Sequence, residues 1–239
     1  MITISVVSHA HGEHVAALLR DLTSLARDDL QIILTVNVPE ALPADIDDRD
    51  PRLTLIRNAS PQGFSKNHNA AFRIAGGEYF CVLNPDIRFS QDPFPAVLAE
   101  LADPGIGVAA PCIVDAQGRP EDSARRFPTV GSLFQKLVGL APHLDYATDS
   151  EPVSPDWIAG MFMLFRRAAF DKVGGFDEHY FLYYEDVDIC RRLRRLGYHV
   201  RMTPAAQVTH HARRASRRDP AHMLWHVRSM LRYLTSTYP

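Results

Sequence analysis

The chain predicts an α/β fold with a mostly parallel, Rossmann-like central sheet flanked by helices. Three observations carry this expectation. Residues 2–8 and 30–36 are short apolar runs suited to buried strands. Between them, Val15, Leu18, Leu19, Leu22 and Leu25 recur at helical spacing. A third short strand at 53–56 follows a Pro/Asp loop, and strand, helix, strand with apolar strands is the pattern of a sheet covered by helices. Ligands of such sheets bind beyond the carboxyl ends of the strands, where His9, His11, Asn37 and Asn58 fall.

At 239 residues the chain suits one larger α/β domain, or one domain with a short extension. Its 46% hydrophobic and 23% charged residues are ordinary for a globular protein. The net charge of -2 excludes a global pull on polyanions and hides an asymmetry. Residues 189–218 hold nine arginines and no acid, whereas Asp45, Asp47, Asp48 and Asp50 make one loop acidic. A local basic face fits phosphate or a membrane surface, and a solvated helix face is the plainer reading for any single arginine. No nucleic-acid motif accompanies the arginines, so nucleic acid is not an expected partner. Cys81, Cys112 and Cys190 are far apart and odd in number, as reduced core residues are. Neither a signal peptide nor an apolar run of the roughly 18 to 20 residues that span a bilayer is visible, and a cytoplasmic protein is expected, with peripheral contact at the inner face of the membrane as an option.

The remaining elements follow in order. Residues 58–69 (NASPQGFSKNHN) are polar and turn-rich and lead into a helical segment at 70–75. There Gly63 lets the backbone approach a ligand, and Lys66 with the helix-start amides can meet a diphosphate, although an ordinary capped loop reads the same. Neither a Walker loop nor a dinucleotide fingerprint is present. Residues 78–83 are a strand ending in Asn84-Pro85-Asp86. A carboxylate at a strand's end is a hard oxygen ligand for Mg²⁺ or Mn²⁺, and an Asx-turn is the structural alternative. A helix at 94–101 and a strand at 105–110 precede the turn Asp115-Ala116-Gln117-Gly118. Residues 123–155 read as a long excursion with a short helix near 133–140, either a lid or an insertion. One apolar strand is expected over 156–165 and a short helix over 166–173.

Residues 174–197 (GGFDEHYFLYYEDVDICRRLRRLG) form the densest stretch. Tyr180, Phe181, Tyr183 and Tyr184 precede Glu185, Asp186 and Asp188, and a basic helix follows. Acids at the start and arginines at the end complement the helix dipole. The rings before the acids suggest a wall that limits water and positions a ring-shaped substrate beside a carboxylate. Beyond Gly197 come a strand at 198–202, a break at Pro204, and His210-His211 after a short run at 207–209. These histidines can offer one imidazole to a metal held by Asp86, though surface polarity is the commoner role of such a pair. Residues 221–234 form an amphipathic helix with Leu224, Val227, Leu231 and Leu234 on one face and Arg228 and Arg232 on the polar side. Packing on the domain is the default expectation, with dimerisation or a membrane interface as alternatives.

Together these pieces resemble the bacterial family 2 glycosyltransferases of GT-A fold, nearest to their rhamnosyltransferase-like members. The resemblance runs through Ser5-Val6-Val7-Ser8, residues 58–69 with Gly63-Phe64, and Leu83-Asn84-Pro85-Asp86. It continues through Asp156-Trp157 with Gly160, Arg166-Arg167, Gly174-Gly175-Phe176-Asp177-Glu178, Glu185-Asp186-Val187-Asp188 and His210-His211. It implies a GT-A domain over 1–212, with 213–239 a basic linker and amphipathic helix packed on it. It also implies inverting transfer of a sugar from a nucleotide diphosphate, dTDP-rhamnose or a UDP-sugar, to a saccharide or lipid-linked acceptor hydroxyl in cell-surface polysaccharide or glycolipid synthesis.

In that resemblance Asp86 binds Mg²⁺ or Mn²⁺ with His210, and Asp186 is the general base. Glu185, Asp188 and Trp157 support the base and acceptor. Ser8, His9, Asn37, Asn58, Gly63, Phe64, Lys66, Asn69 and Asn84 line the nucleotide-sugar site. Two departures stand out. Ser8-His9-Ala10 replaces the usual Thr-Tyr-Asn-like run, and Val36-Asn37 lacks the acid that contacts the base. A catalytically silent sugar-nucleotide-binding subunit and a nucleotidyltransferase on a similar scaffold are the rival readings. The first draws on Val36; the second expects a glycine-rich basic loop that His9-Ala10-His11-Gly12 does not supply.

Overall fold

Two seven-residue runs, β1 (Ile2–Ser8) and β2 (Leu30–Val36), pair in parallel from Ile2↔Leu30 to Ser8↔Val36. Both are buried on both faces, which is why β-branched and aliphatic residues dominate them. The computed structural model describes residues 1–44, 46–47, 49–129, 131–132, 144–146, 151–211 and 220–236. The helix expected near 133–140 and the arginines at 213, 214, 217 and 218 lie outside the described residues.

β3 (Leu53–Arg57) extends the sheet beside β2, and β4 (Tyr79–Leu83) flanks β1 on its other side, both in parallel. β9 (Phe162–Arg166) is antiparallel to β4 and to β6 (Ile106–Val114). β10 (His199–His210) runs parallel to β6 and antiparallel to the two-residue β5 (Ile87–Arg88). The resulting order is β3-β2-β1-β4-β9-β6-β10-β5, with a separate pair β7 (Ala124–Arg125) and β8 (Trp157–Ile158). These pairings point β1, β2, β3, β4, β6 and β10 the same way. Their carboxyl ends therefore share one edge, which is joined there by the start of β9.

Helices cover both faces. α1 (Gly12–Ser24) and α3 (Phe94–Glu100) bury Val15, Leu18, Leu22, Phe94 and Val97 against Ile4, Val6, Leu34 and Leu83. α2 (Phe64–Ile74), α4 (Arg167–Lys172), α5 (Glu185–Arg195) and α6 (Pro220–Thr235) cover the other face, around Phe80, Phe165, Phe170 and Phe176. Phe165 and Phe170 meet edge-on at 4.9 Å, and Phe170 and Phe176 at 5.4 Å. Such pairs add about 0.5–1.5 kcal/mol each beyond their burial. The same cluster is clipped by Asn69, whose amide donates to Phe176 O (2.9 Å) while its carbonyl accepts from Phe176 N–H (2.9 Å).

Four elements differ from expectation. The helix expected over 70–75 starts at Phe64, so residues 64–69 are helix and not loop. The strand expected over 156–165 is two strands, β8 and β9, because the Gly160 N–H turns away to a carboxylate. Pro204 does not end its strand: β10 continues past it with an irregular register between Thr203 and Gln207, where the missing N–H is tolerated. The aliphatic face of α6 is not the face that packs. Met223 (62%), Leu224 (56%) and Leu231 (53%) are exposed, and α6 docks through its rings and Ser229. Trp225 stacks on Phe181 at 4.8 Å, Tyr184 lies 5.5 Å from Tyr233, and Ser229 Oγ donates to Leu182 O at 2.9 Å.

Candidate active site

β5 pairs with β10 so that Ile87 sits opposite His210, which sets Asp86 beside the histidine pair. The His211 N–H donates to Asp86 O at 2.9 Å, locking that neighbourhood through the backbone. His210 Nε2 faces Asp86 Oδ2 at 3.3 Å, and Nδ1 faces Glu121 Oε2 at 2.8 Å. Burial opposes a charge on His210, but the two carboxylates outweigh it and raise the imidazole above its ordinary value. Burial likewise pushes the Asp86 carboxyl up, and His210 more than offsets that and holds it below the usual range. Asp86 Oδ1 is buried with no hydrogen-bond partner. An unpartnered buried carboxylate oxygen beside an imidazole nitrogen fits a divalent cation. Among the described residues no group of three or more His, Cys, Asp or Glu side chains could hold a metal alone. Asp86 and His210 thus fit as two ligands of an ion that the described residues do not enclose by themselves.

The second carboxylate is anchored to the same edge. Asp186 Oδ2 accepts the Gly160 N–H at 3.0 Å, and Oδ1 accepts the N–H of Val187 at 2.8 Å. Next to Gly160, Met161 O accepts the N–H of Asn84 at 2.9 Å. Asp186 and the Asn84-Pro85-Asp86 turn are therefore both tied to two consecutive residues before β9. Burial raises the Asp186 carboxyl against its two N–H donors, which strengthens it as a base. Burial is the largest influence on that carboxyl. Glu185 is pushed well above the usual range by burial and by Asp186, and its Oε2 has no partner. Asp188 is instead tied to Arg192 Nε at 2.7 Å, and Arg192 also donates to the carbonyls of Val173 and Gly175. Trp157 is buried, donates from Nε1 to Arg126 O at 2.9 Å, and lies under the Arg125 guanidinium at 5.1 Å.

Tyr183 and Tyr184 enter α5 with φ of 71° and 66°, the left-handed region that costs about 1–3 kcal/mol for such residues. α6 holds them there: Tyr183 OH meets His222 Nδ1 at 2.9 Å, and His226 lies 5.3 and 5.4 Å from the two rings. The aromatic run expected to wall a substrate is engaged by α6 instead. Its backbone meets the start of α2. The Phe64 N–H donates to Phe181 O at 2.8 Å, and a Cβ on Gly63 would lie 2.6 Å from that oxygen. The Gly174-Gly175 turn before it needs φ of 76° and 71°, and a Cβ on Gly175 would strike Asn69 Oδ1 at 2.6 Å.

Other residues expected at the nucleotide site divide into two groups. Asn37 is buried and internally bonded, giving Nδ2 to Gln62 O (3.0 Å) and His9 Nδ1 (3.1 Å) and accepting from Asn58 Nδ2 (2.8 Å) and the Gln62 N–H (2.8 Å). With Asn58, which also donates to Asn67 Oδ1 at 2.7 Å, it shapes the loop. Ser8 is buried at the end of β1, and its Oγ accepts the His11 N–H at 3.3 Å. Asn69 holds the Phe176 turn, away from that edge. Phe64 packs at 4.3 Å on His68, and Lys66 is exposed on the first turn of α2. Beyond β2 and β3 lies a cleft of about 610 Å³ lined by Val36, Val38, Pro39, Glu40, Ala41, Arg57 and Asn58. Glu40 Oε1 accepts the N–H of Ala10, whose φ is 58°.

Comparison with known proteins places this geometry. The model of glycosyl transferase family group 2 matches residues 79–234. The chain belongs to that family. It is 30% identical to rhamnosyltransferase WbbL of Escherichia coli K12, over 98% of this chain and 92% of that one. It is 28% identical to an N-acetylglucosaminyl-diphospho-decaprenol L-rhamnosyltransferase of Mycobacterium tuberculosis, over 100% of this chain and 85% of the relative. Among solved structures it resembles the mannosyltransferase PcManGT of Pyrobaculum calidifontis in complex with GDP-Man and Mn²⁺ (TM-score 0.68, 18% identity), covering all of this chain and 65% of that one. It also resembles GalNAc-T7 with UDP, GalNAc and Mn²⁺ (TM-score 0.67, 14% identity), covering 88% of this chain and 43% of that one. The fold is therefore GT-A, and the protein is a family 2 glycosyltransferase with rhamnosyltransferase relatives.

The sequence passes over Glu121 and Glu40. Both carboxylates gain meaning only from neighbours far along the chain, His210 and the Ala10 turn. The Asp115–Gly118 turn is the one signal that could have pointed to Glu121.

Proposed function

We propose that the protein transfers a sugar, L-rhamnose first among candidates, from a nucleoside diphosphate to a saccharide hydroxyl with inversion. The observation that carries this reading is the shared tether of two unlike acids. Asp86, paired with His210, and Asp186, hung on Gly160, are fixed to adjoining backbone at the start of β9.

In this reading the base lies in the cleft beyond β2 and β3, where Glu40 supplies a carboxylate that Val36 cannot. Asp86 and His210 hold Mg²⁺ or Mn²⁺, which when bound neutralises charge developing on the leaving diphosphate. Asp186 accepts the proton of the entering hydroxyl. Its two N–H donors aim the carboxylate, and burial keeps it basic. Attack from the side opposite the leaving group inverts the anomeric carbon. Glu185 and Asp188 surround the base from α5, and Asp188, fixed by Arg192, keeps the start of that helix in place.

The acceptor we favour is a lipid-linked saccharide. The two rhamnosyltransferase relatives include one named for a diphospho-decaprenol substrate. No described helix is long and apolar enough to cross a membrane. The exposed aliphatic stripe of α6, next in sequence to Arg213, Arg214, Arg217 and Arg218, supports peripheral contact with an anionic inner leaflet.

The test is to incubate the protein with dTDP-L-rhamnose, Mn²⁺ and a lipid-linked N-acetylglucosamine diphosphate, and to read the anomeric configuration of the product by NMR. A product inverted relative to the donor is expected. A retained configuration would refute the mechanism, and turnover of UDP-sugars alone would refute the donor.

A further inference from the structure

We propose that Glu121 is a positioning residue: it takes the Nδ1 proton of His210 in a hydrogen bond and so turns Nε2, as a lone pair, toward the cation that Asp86 shares. The inference rests on the metal role given above to Asp86 and His210 and adds to it a residue outside the metal's own ligands.

The backbone around Glu121 is fixed on both sides. The turn at Asp115–Gly118 folds the chain back on β6, Val114 bridges to Pro120, and the Glu121 N–H donates to Ile113 O at 2.9 Å. The next turn closes when Ser123 N–H donates to Glu121 O at 2.8 Å. β10 lies beside β6 with Thr209 opposite Val114, so His210 emerges between this returning segment and Asp86. The ring is thus held between two carboxylates that come from different parts of the chain, with only 13% of its side chain exposed.

The two contacts are unequal. Nδ1 to Glu121 Oε2, at 2.8 Å, is a hydrogen bond of ordinary length; Nε2 to Asp86 Oδ2, at 3.3 Å, is longer than such bonds usually are. A neutral imidazole carries one proton and offers one lone pair. With the proton directed to Glu121, the lone pair points at Asp86, whose Oδ1 has no partner. In that neutral form Nε2 and the Asp86 carboxylate are both acceptors, open to a cation. Without Glu121 the proton is free to move to Nε2, where it would bond Asp86 and close the site on itself. A carboxylate behind a ligating histidine commonly sets tautomer and ring orientation, and its loss weakens metal affinity about 10- to 100-fold.

The experiment is titration of Mn²⁺ into the full chain with dTDP present, with free Mn²⁺ read by electron paramagnetic resonance. Wild type, Glu121→Ala, Glu121→Gln and His210→Ala are compared, each with its melting curve. Glu121→Ala is expected to bind Mn²⁺ about 10- to 100-fold more weakly, and Glu121→Gln, whose Oε1 still accepts the Nδ1 proton, to stay near wild type. If the alanine variant does not fold, Glu121→Met, of similar length and without an oxygen acceptor, takes its place. Wild-type affinity in the acceptor-free variant, with loss in His210→Ala, would overturn the role of Glu121 alone. Equal weakening in Glu121→Gln and Glu121→Ala would also overturn it, since charge and not orientation would then matter. Unchanged affinity in His210→Ala would instead overturn the metal reading beneath it.

Discussion

Gly63→Ala probes the contact between the turn that starts α2 and the segment that leads to Asp186, the proposed base. The backbone itself is no obstacle: Gly63 has φ -69° and ψ 163°, which any residue adopts. Narrowing the unfolded chain would even favour alanine by about 0.4–1 kcal/mol. The obstacle is space. The new Cβ would lie 2.6 Å from Phe181 O and 2.8 Å from Phe181 Cα, both backbone atoms that cannot swing aside. Overpacking of this kind costs about 1–3 kcal/mol. Moving Phe181 also stretches the Phe64 N–H···O bond, which contributes about 0.5–1.5 kcal/mol. The net expectation is a loss of about 1–4 kcal/mol, or roughly 3–12 °C in melting temperature for a domain of this size. Because Phe181 lies shortly before Glu185 and Asp186, a displacement of about 1 Å should also slow transfer on the order of 100-fold. Thermal melts and initial rates of sugar transfer measure both. A melting point within about 1 °C of wild type and an undiminished rate would refute the reasoning.

Glu185→Gln should stabilise the protein increasingly as pH rises. A carboxyl whose folded value is raised contributes its stability below the ordinary 4.5 and loses it as pH climbs through the folded value, a loss glutamine does not suffer. A melting-temperature difference that stays flat from acid to alkaline pH would contradict this. Arg232→Ala should destabilise by about 1 kcal/mol near neutral pH, a figure kept small because the pair is partly exposed. Arg232 donates to Asp177 at 2.7 and 3.1 Å. Burial pulls Asp177 upward, but the His179 N–H, Arg232 and the His179 ring bring it down to about 2. That stability is present above the ordinary 3.8 and is lost as pH falls through about 2, so the gap between variant and wild type in urea melts should shrink on acidification. A gap that stayed constant on acidification would show that Arg232 acts through packing alone.

Much of the framework was legible because it is local. β1 and β2 are apolar runs bounded by polar turns, and their expected bounds match the strands. Asp86 and Asp186 were each visible as an acid at the end of a strand or the start of a helix. What the sequence does not carry is register. His210 meets Asp86 only because Ile87 pairs with His210 across strands far apart in the chain. The break between β8 and β9 was hidden in the same way: DWIAGMFMLF reads as one strand until Asp186 takes the Gly160 N–H. Periodicity also misjudged α6. Its leucines are the more hydrophobic face, yet the docking face wins because His222, Ser229, Arg232 and Tyr233 each find a specific partner. The tyrosines of residues 180–184 likewise read as a substrate wall, since nothing local says that a helix some forty residues later covers them.

The account turns on Asp186 taking the acceptor proton, and Asp186→Asn tests it most directly. Asparagine can keep only one of the two N–H bonds, from Gly160 or from Val187, so a melting curve accompanies the assay to check that the fold survives. At saturating donor and Mn²⁺, the initial rate of transfer should fall by about 10²–10⁴-fold while dTDP affinity holds. Transfer within a few-fold of wild type would contradict the account.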